Sequence, residues 1–412
     1  TLMSVETYRG HTKGFHFYFN HALAIALIVA KWLEDGRSFR KAPPGLGLYL
    51  AYCGISLLSI VNAPQPSLTW MAAHKMVFAS VIFLAAFQVL RTDEDIWNFV
   101  RVMIFTMAWQ LFVVIKLKYL DGMHQVLGTF EHQNPLAMYS VLVGMLLLAV
   151  GLGPASRGAN LALFGFVACG AVVQATLSRA ALAAFAVGTA AVILASLVER
   201  TTVRRMGATV VVAVVGLMGL AMTLDTIIER FRDEGNVASG ELREVMNAAS
   251  RQMARDHGLG VGWNNYALVV NPPYPYAEFY SEWIRGRGMT VDPDRGNAVV
   301  ESHYYLLLGE TGWPGLIAYL VMVVMGLWWN VRGFLHFGHS FPRLVALGIG
   351  VGCLLNYGQS TLERVLVQPR NLMLWLILMG ITARLEVRRR EAAGRTLKPR
   401  TLGKAVRVRS GP

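Results

Sequence analysis

One histidine and five cations carry the residue types from which a reaction could be built: His303, Arg179, Arg243, Arg251, Arg255 and Lys75. A neutral imidazole is a proton acceptor near neutral pH, and nearby arginines favour the neutral ring because they disfavour a second positive charge. A guanidinium takes phosphate oxygens two at a time, which an ammonium does less well. The set therefore reads as a proton acceptor with an anion grip. Each residue also has an ordinary explanation. Arg179, in Leu177-Ser178-Arg179-Ala180-Ala181, and Lys75 could snorkel to lipid phosphate from helix ends, and a histidine at a membrane boundary is often structural. Arg251 and Arg255 lie two and three turns beyond Arg243 on one predicted helix face, where a solvated stripe would look the same.

Metal chemistry has one candidate, the Asp292-Pro293-Asp294 spacing, which reads better as a turn ahead of Arg295-Gly296. The three cysteines, Cys53, Cys169 and Cys353, each fall in an apolar run, so neither a disulfide framework nor a zinc cluster is indicated. No metal and no other cofactor is expected.

The elements that position these groups are membrane helices. Of 412 residues 54% are apolar and 15% charged, against roughly 25% charged in soluble chains, so a water-soluble globule is excluded. Eleven apolar stretches are long enough to cross a bilayer, approximately 15–33, 46–61, 72–90, 98–117, 135–153, 159–177, 180–198, 206–224, 313–330, 342–357 and 366–384. No Asp or Glu lies within them, which argues against an ion-coupled pump. Basic residues mark alternate loops as cytoplasmic: Arg37, Arg40 and Lys41; Arg91; Arg157; Arg200, Arg204 and Arg205; Arg332 and Arg343; and a tail with ten bases against two acids from Arg384 to Arg409. That tail supplies most of the +13 charge, so the charge does not indicate nucleic acid. Counting back from it leaves Thr1 outside, where Arg9 and Lys13 fit poorly, and a twelfth span ahead of residue 1 would restore an inside terminus. The expected fold is an all-α polytopic membrane protein of 11–12 helices with one partly helical domain outside the membrane between late spans. Its parts are 1–224 (eight spans), 225–302 (the outer domain), 303–384 (three spans) and 385–412 (the tail). Lys75, Arg179, the arginines of 225–302 and His303 sit at the outer rim, against the orientation rule, and an anionic ligand would explain them.

Four stretches in order carry a resemblance. Gly128-Thr129-Phe130-Glu131-His132-Gln133-Asn134-Pro135-Leu136-Ala137 is similar to a signature of the O-antigen ligase and polymerase superfamily, and Ser178-Arg179-Ala180 looks like a second. Arg243 with His257-Gly258-Leu259-Gly260-Val261-Gly262-Trp263-Asn264-Asn265 resembles a third, and His303 to Gly315 a fourth. Gly258 stands where the family has proline, and Tyr304 where it has asparagine.

The resemblance, covering about 128–315, implies a GT-C-like glycosyltransferase of the bacterial inner membrane that works on the periplasmic face. It implies an undecaprenyl-diphosphate-linked glycan as donor and lipid A–core as acceptor, with membrane lipid around it and no nucleic acid partner. His303 would be the general base and Arg179 and Arg243 the diphosphate grip, with Arg251, Arg255 and Lys75 as further candidates. An O-antigen polymerase, using a second lipid-linked glycan as acceptor, is the nearest alternative. A lipid-linked-glycan flippase would instead distribute charge through the depth of the membrane.

Overall fold

The computed structural model describes residues 7–8, 11–12, 19–35, 42–123, 125–232, 235–290 and 296–397. Arg9, Lys13, Arg37, Arg40, Lys41, the Asp292-Pro293-Asp294 turn and the end of the basic tail lie outside them. Apart from a two-residue antiparallel pairing of Thr7–Tyr8 with His11–Thr12, the regular structure is helical. The helices are α1 Phe19–Asp35, α2 Leu46–Leu57, α3 Pro66–Val89, α4 Asp93–Ile115, α5 Gln133–Gly151, α6 Arg157–Thr176, α7 Arg179–Glu199, α8 Val203–Arg232, α9 Gly235–Asp256, α10 Tyr266–Val269, α11 Ala277–Gly286, α12 His303–His336, α13 Phe341–Gln359 and α14 Pro369–Leu397.

Each of the eleven predicted spans falls on one of these helices, and seven of the helices are long and apolar enough to cross a membrane by themselves. Their outer faces carry bare apolar side chains such as Phe105, Val187, Leu194, Leu217 and Val324, each more than half exposed. A surface of that kind is stable against lipid and not against water. The protein is an all-α polytopic membrane protein.

Helix α5 is the centre of the bundle. Its residues Leu142, Met145, Leu146, Leu147 and Leu148 are fully buried between α6, α7 and α13. Small residues set that packing, because lipid offers helices no hydrophobic drive to associate and close approach must supply the contact. A Cβ on Gly348 would lie 2.6 Å from Leu146 Cα, and one on Gly352 3.1 Å from the Leu142 carbonyl, so these two glycines, four apart, let α13 lie on the α5 backbone.

The loops separate to opposite ends of the bundle. At one end cations cap the carbonyl ends of helices. Arg204 donates to the carbonyls of Gly151 and Gly153, Arg205 to those of Leu152, Ser196 and Arg200, and Arg384 to that of Phe87. Arg388 pairs with Asp93, while Arg389 and Arg390 pair with the buried Glu386. The other end gathers 58–69, 120–134, 177–179, 257–265, 300–303 and 360–370, and contains the candidate site.

The ninth span begins earlier than its hydropathy suggests. Helix α12 runs from His303, with Gly312 in a non-helical conformation (φ 64°, ψ −169°) followed by Pro314. The break is written in Gly309-Glu310-Thr311-Gly312-Trp313-Pro314. Pro314 has no N–H to return to the Glu310 carbonyl, and only glycine holds that φ cheaply. Glu310 therefore lies inside the helix, 5% exposed. The expectation of spans without a carboxylate fails at this position.

Candidate functional site

The Gly-rich loop after α9 is built to fit the α12 break. Val261 N–H donates to the Gly309 carbonyl (2.9 Å) and Gly262 N–H to the Glu310 carbonyl (3.1 Å), which satisfies the acceptors that the break frees. The backbones touch. A Cβ on Gly260 would stand 2.4 Å from the Glu310 carbonyl, and one on Gly312 2.1 Å from the Gly258 oxygen. The same loop is tied to the α2–α3 connection. Asn62 Nδ2 donates to the Gly260 carbonyl (3.1 Å), Trp263 N–H to Ser59 Oγ (2.9 Å), and the buried Asn265 joins Gln65 N–H (3.1 Å) and Thr69 Oγ1 (3.0 Å). The third and fourth sequence motifs thus form one joint between the 235–290 segment and the bundle.

That joint walls a cavity of about 110 Å³ lined by His303, Lys75, Glu310, Arg364, Asn264 and Tyr319, among others. His303, 6% exposed, is fixed by its own N–H, which donates to the Ser360 carbonyl (2.9 Å). Its ring meets Tyr319 edge-on at 5.1 Å. His303 Nδ1 and the Tyr319 hydroxyl are buried without a hydrogen-bond partner among the described residues. Arg364 is half-buried and, among the described residues, has no side-chain hydrogen bond or ion pair. The cavity therefore brings a proton acceptor within reach of two cations, Lys75 and Arg364.

A second charged group forms the rim. Arg243 Nε pairs with Glu301 at 2.5 Å, two residues before His303. Arg251 pairs with Glu244 at 2.5 Å, bonds Tyr305 Oη at 3.2 Å and stacks over the Tyr305 ring. Glu363, in the loop beside Arg364, accepts a hydrogen bond from Asn134 of the first motif. Burial and the neighbouring Glu301 raise its carboxyl to about 7, against the pull of Arg243, Asn134 and Arg364.

Arg179 heads α7 one residue, Ser178, after Leu177, which closes α6 in the left-handed conformation (φ 54°) usually left to glycine. That tight corner leaves no loop. Ala181 packs with Val365, Ala137 and Met138, so Arg179 stands near the Glu363–Arg364 loop without lining the His303 cavity. Arg255 is exposed at the end of α9.

Of the sequence candidates, His303 and Lys75 thus share the cavity, Arg243 and Arg251 meet the turn that carries His303, and Arg179 and Arg255 do neither. Arg364, Glu363, Glu310 and Tyr319 were missed. For Arg364 there was a signal, since it lies in a short loop that the charge pattern expects to face outward, where the orientation rule disfavours arginine.

This fold and site define a class: a polytopic membrane protein in which a helical segment between late spans walls a histidine- and cation-lined cavity at one end of the bundle. Residues 164–320, from within α6 to beyond the α12 break, match the family described as O-Antigen ligase. The match covers three of the four motifs read from the sequence and supports an O-antigen ligase- or polymerase-type membrane glycosyltransferase. No curated protein matches the chain.

Proposed function

We propose that this protein is an O-antigen ligase, transferring a glycan from undecaprenyl diphosphate to a hydroxyl of lipid A–core on the periplasmic face of a Gram-negative inner membrane. The observation that carries this reading is the meeting of His303 with Lys75 and Arg364 in one cavity under the Gly-rich joint. His303 takes the proton of the acceptor hydroxyl as its oxygen attacks the anomeric carbon. The bond from that carbon to the diphosphate oxygen breaks, and the electron pair leaves with undecaprenyl diphosphate. Direct displacement inverts the anomeric configuration. Lys75 and Arg364 meet the growing negative charge, while Arg179, Arg243 and Arg251 hold the diphosphate as it enters. Positioned cations can stabilise such a leaving group without a metal.

The test is transfer by the purified full chain, with synthetic lipid-diphosphate glycan and core lipopolysaccharide, in EDTA. A positioned base contributes about 10²–10⁴ in rate, so His303→Ala should lose at least about a hundredfold. Undiminished transfer by His303→Ala would refute the base, and loss in EDTA the metal-free route. Supplying a second lipid-linked glycan in place of core separates ligase from polymerase.

A further inference from the structure

Helix α14 has a cavity on each side. Leu372 and Trp375 face the His303 cavity, whereas Arg370, Met373, Leu374 and Ile377 line a larger one of about 540 Å³. The second is walled by α1, α3, α4 and α5 and is apolar along its length, through residues such as Leu27, Ile82, Phe99 and Met103. Its α1 wall is thin: Leu23 and Leu27 are themselves 50% and 43% exposed, so the cavity opens sideways to lipid. The lining runs from Gln110 to Phe99 along α4, eleven residues or about 16 Å at 1.5 Å each, roughly half the hydrocarbon thickness of a bilayer. Its polar groups, Arg370, Thr129, Gln110 and Thr106, gather toward the end that carries His303. Arg370 bonds the Thr129 carbonyl and stacks over Phe130 at 4.9 Å through a guanidinium that, among the described residues, has no carboxylate partner.

We infer that this groove holds an acyl chain of the acceptor, an acylated and phosphorylated glycolipid, with its phosphate at Arg370. The inference rests on the ligase reading, because two membrane-anchored substrates must then meet at one site. A groove one leaflet deep with a cation at headgroup level matches a fatty-acyl chain below a phosphate. Charge complementarity is supplied by Arg370 and by the α14 N-terminus on which it sits. Helices α3 and α14 line both the groove and the His303 cavity, so an acceptor anchored there presents its sugar toward the base while the donor diphosphate enters under the Gly-rich joint.

The test uses the full chain in nanodiscs with a photo-crosslinking residue at Thr106 and, separately, lipid A–core, undecaprenyl diphosphate or phosphatidylglycerol as labelled ligand. Crosslinking to lipid A–core, competed by unlabelled lipid A and not by the other two, is expected. Preferential capture of the polyprenyl lipid or of phosphatidylglycerol, or no capture, overturns the inference. Arg370→Gln and the groove-filling Thr106→Trp should each raise the acceptor KM about tenfold, leaving the donor KM unchanged. An unchanged acceptor KM in both also overturns it. Crosslinking needs no turnover, so failure of the ligase reading appears separately, as absent transfer by the unaltered protein.

Discussion

Replacing Glu363 by glutamine removes one titrating proton from the rim of the site and keeps the shape of the side chain. The carboxyl has its ordinary value of 4.5 when unfolded and about 7 when folded, chiefly through burial, and then through Glu301. Because the folded value is the higher one, the stabilising proton is present in full below about 4.5 and is lost as pH rises through 7. Over that interval the folded state binds a proton that the unfolded chain does not, so stability falls by about 1.4 kcal/mol per pH unit and by about 3 kcal/mol in all. At about 2.1 cal/mol/K per residue a chain of this length melts about one degree lower per kcal/mol, so the loss corresponds to about 3–4 °C. Glu363→Gln has no such loss. The difference in melting temperature between the variant and the unaltered protein, followed in detergent by intrinsic fluorescence, should therefore shift by about 3–4 °C in favour of the variant between pH 4.5 and pH 8. Other titrations cancel in that difference except that of Glu301, which is coupled to this carboxyl. A difference that stays constant across the range would refute the placement of Glu363 in a buried, acid-flanked position.

Two further experiments test the joint and the rim. Gly312→Ala places a methyl 2.1 Å from the Gly258 oxygen at a positive φ and should cost more than about 3 kcal/mol, read as a drop in melting temperature with loss of transfer; Gly338→Ala, which meets nothing within 4 Å, should be close to neutral. Exchanging the Arg243–Glu301 pair, as Arg243→Glu with Glu301→Arg, should recover the stability that either single change loses, yet leave transfer depressed at least tenfold. Recovery of transfer by the exchange would make Arg243 a structural partner only.

The helices were readable because lipid forces every backbone polar group into a helix, which leaves a run of apolar residues for each crossing. What hydropathy misplaced was the start of α12. Glu310, Thr311 and Gly312 look like loop, and only the Val261 and Gly262 N–H groups, supplied from fifty residues away, make a broken helix satisfactory there. The site divides in the same way. Glycines at 260, 262 and 312 mark the joint in the sequence because a close backbone approach excludes other residues, and His303 is marked by the motif that it opens. Arg364 and Glu363 have no local pattern, since their roles come from α13 ending where α5 and α12 begin. Arg255 fails for the opposite reason, because helical spacing from Arg243 fixes a face only approximately and the last turn of α9 is exposed.

The arginines of the two ends follow different logic. At one end Arg204, Arg205 and Arg384 spend their donors on helix-terminal carbonyls, and Arg388, Arg389 and Arg390 on carboxylates, so their charge is absorbed by the protein. Positive residues there are explained by topology and by helix ends alone. At the other end Arg364 faces a cavity without a side-chain partner among the described residues, and Arg370 donates to the Thr129 carbonyl and hydroxyl and lies over the Phe130 ring. The half-buried Arg364 is left with spare donors, which is costly, whereas Arg370 is exposed. The anion binding proposed for the two residues would offset that cost at Arg364 and give both arginines, one on each side of α14, a partner. Arg243 is the intermediate case: its ion pair with Glu301 is short but nearly half exposed, a pairing of at most about 1 kcal/mol that an entering diphosphate can displace.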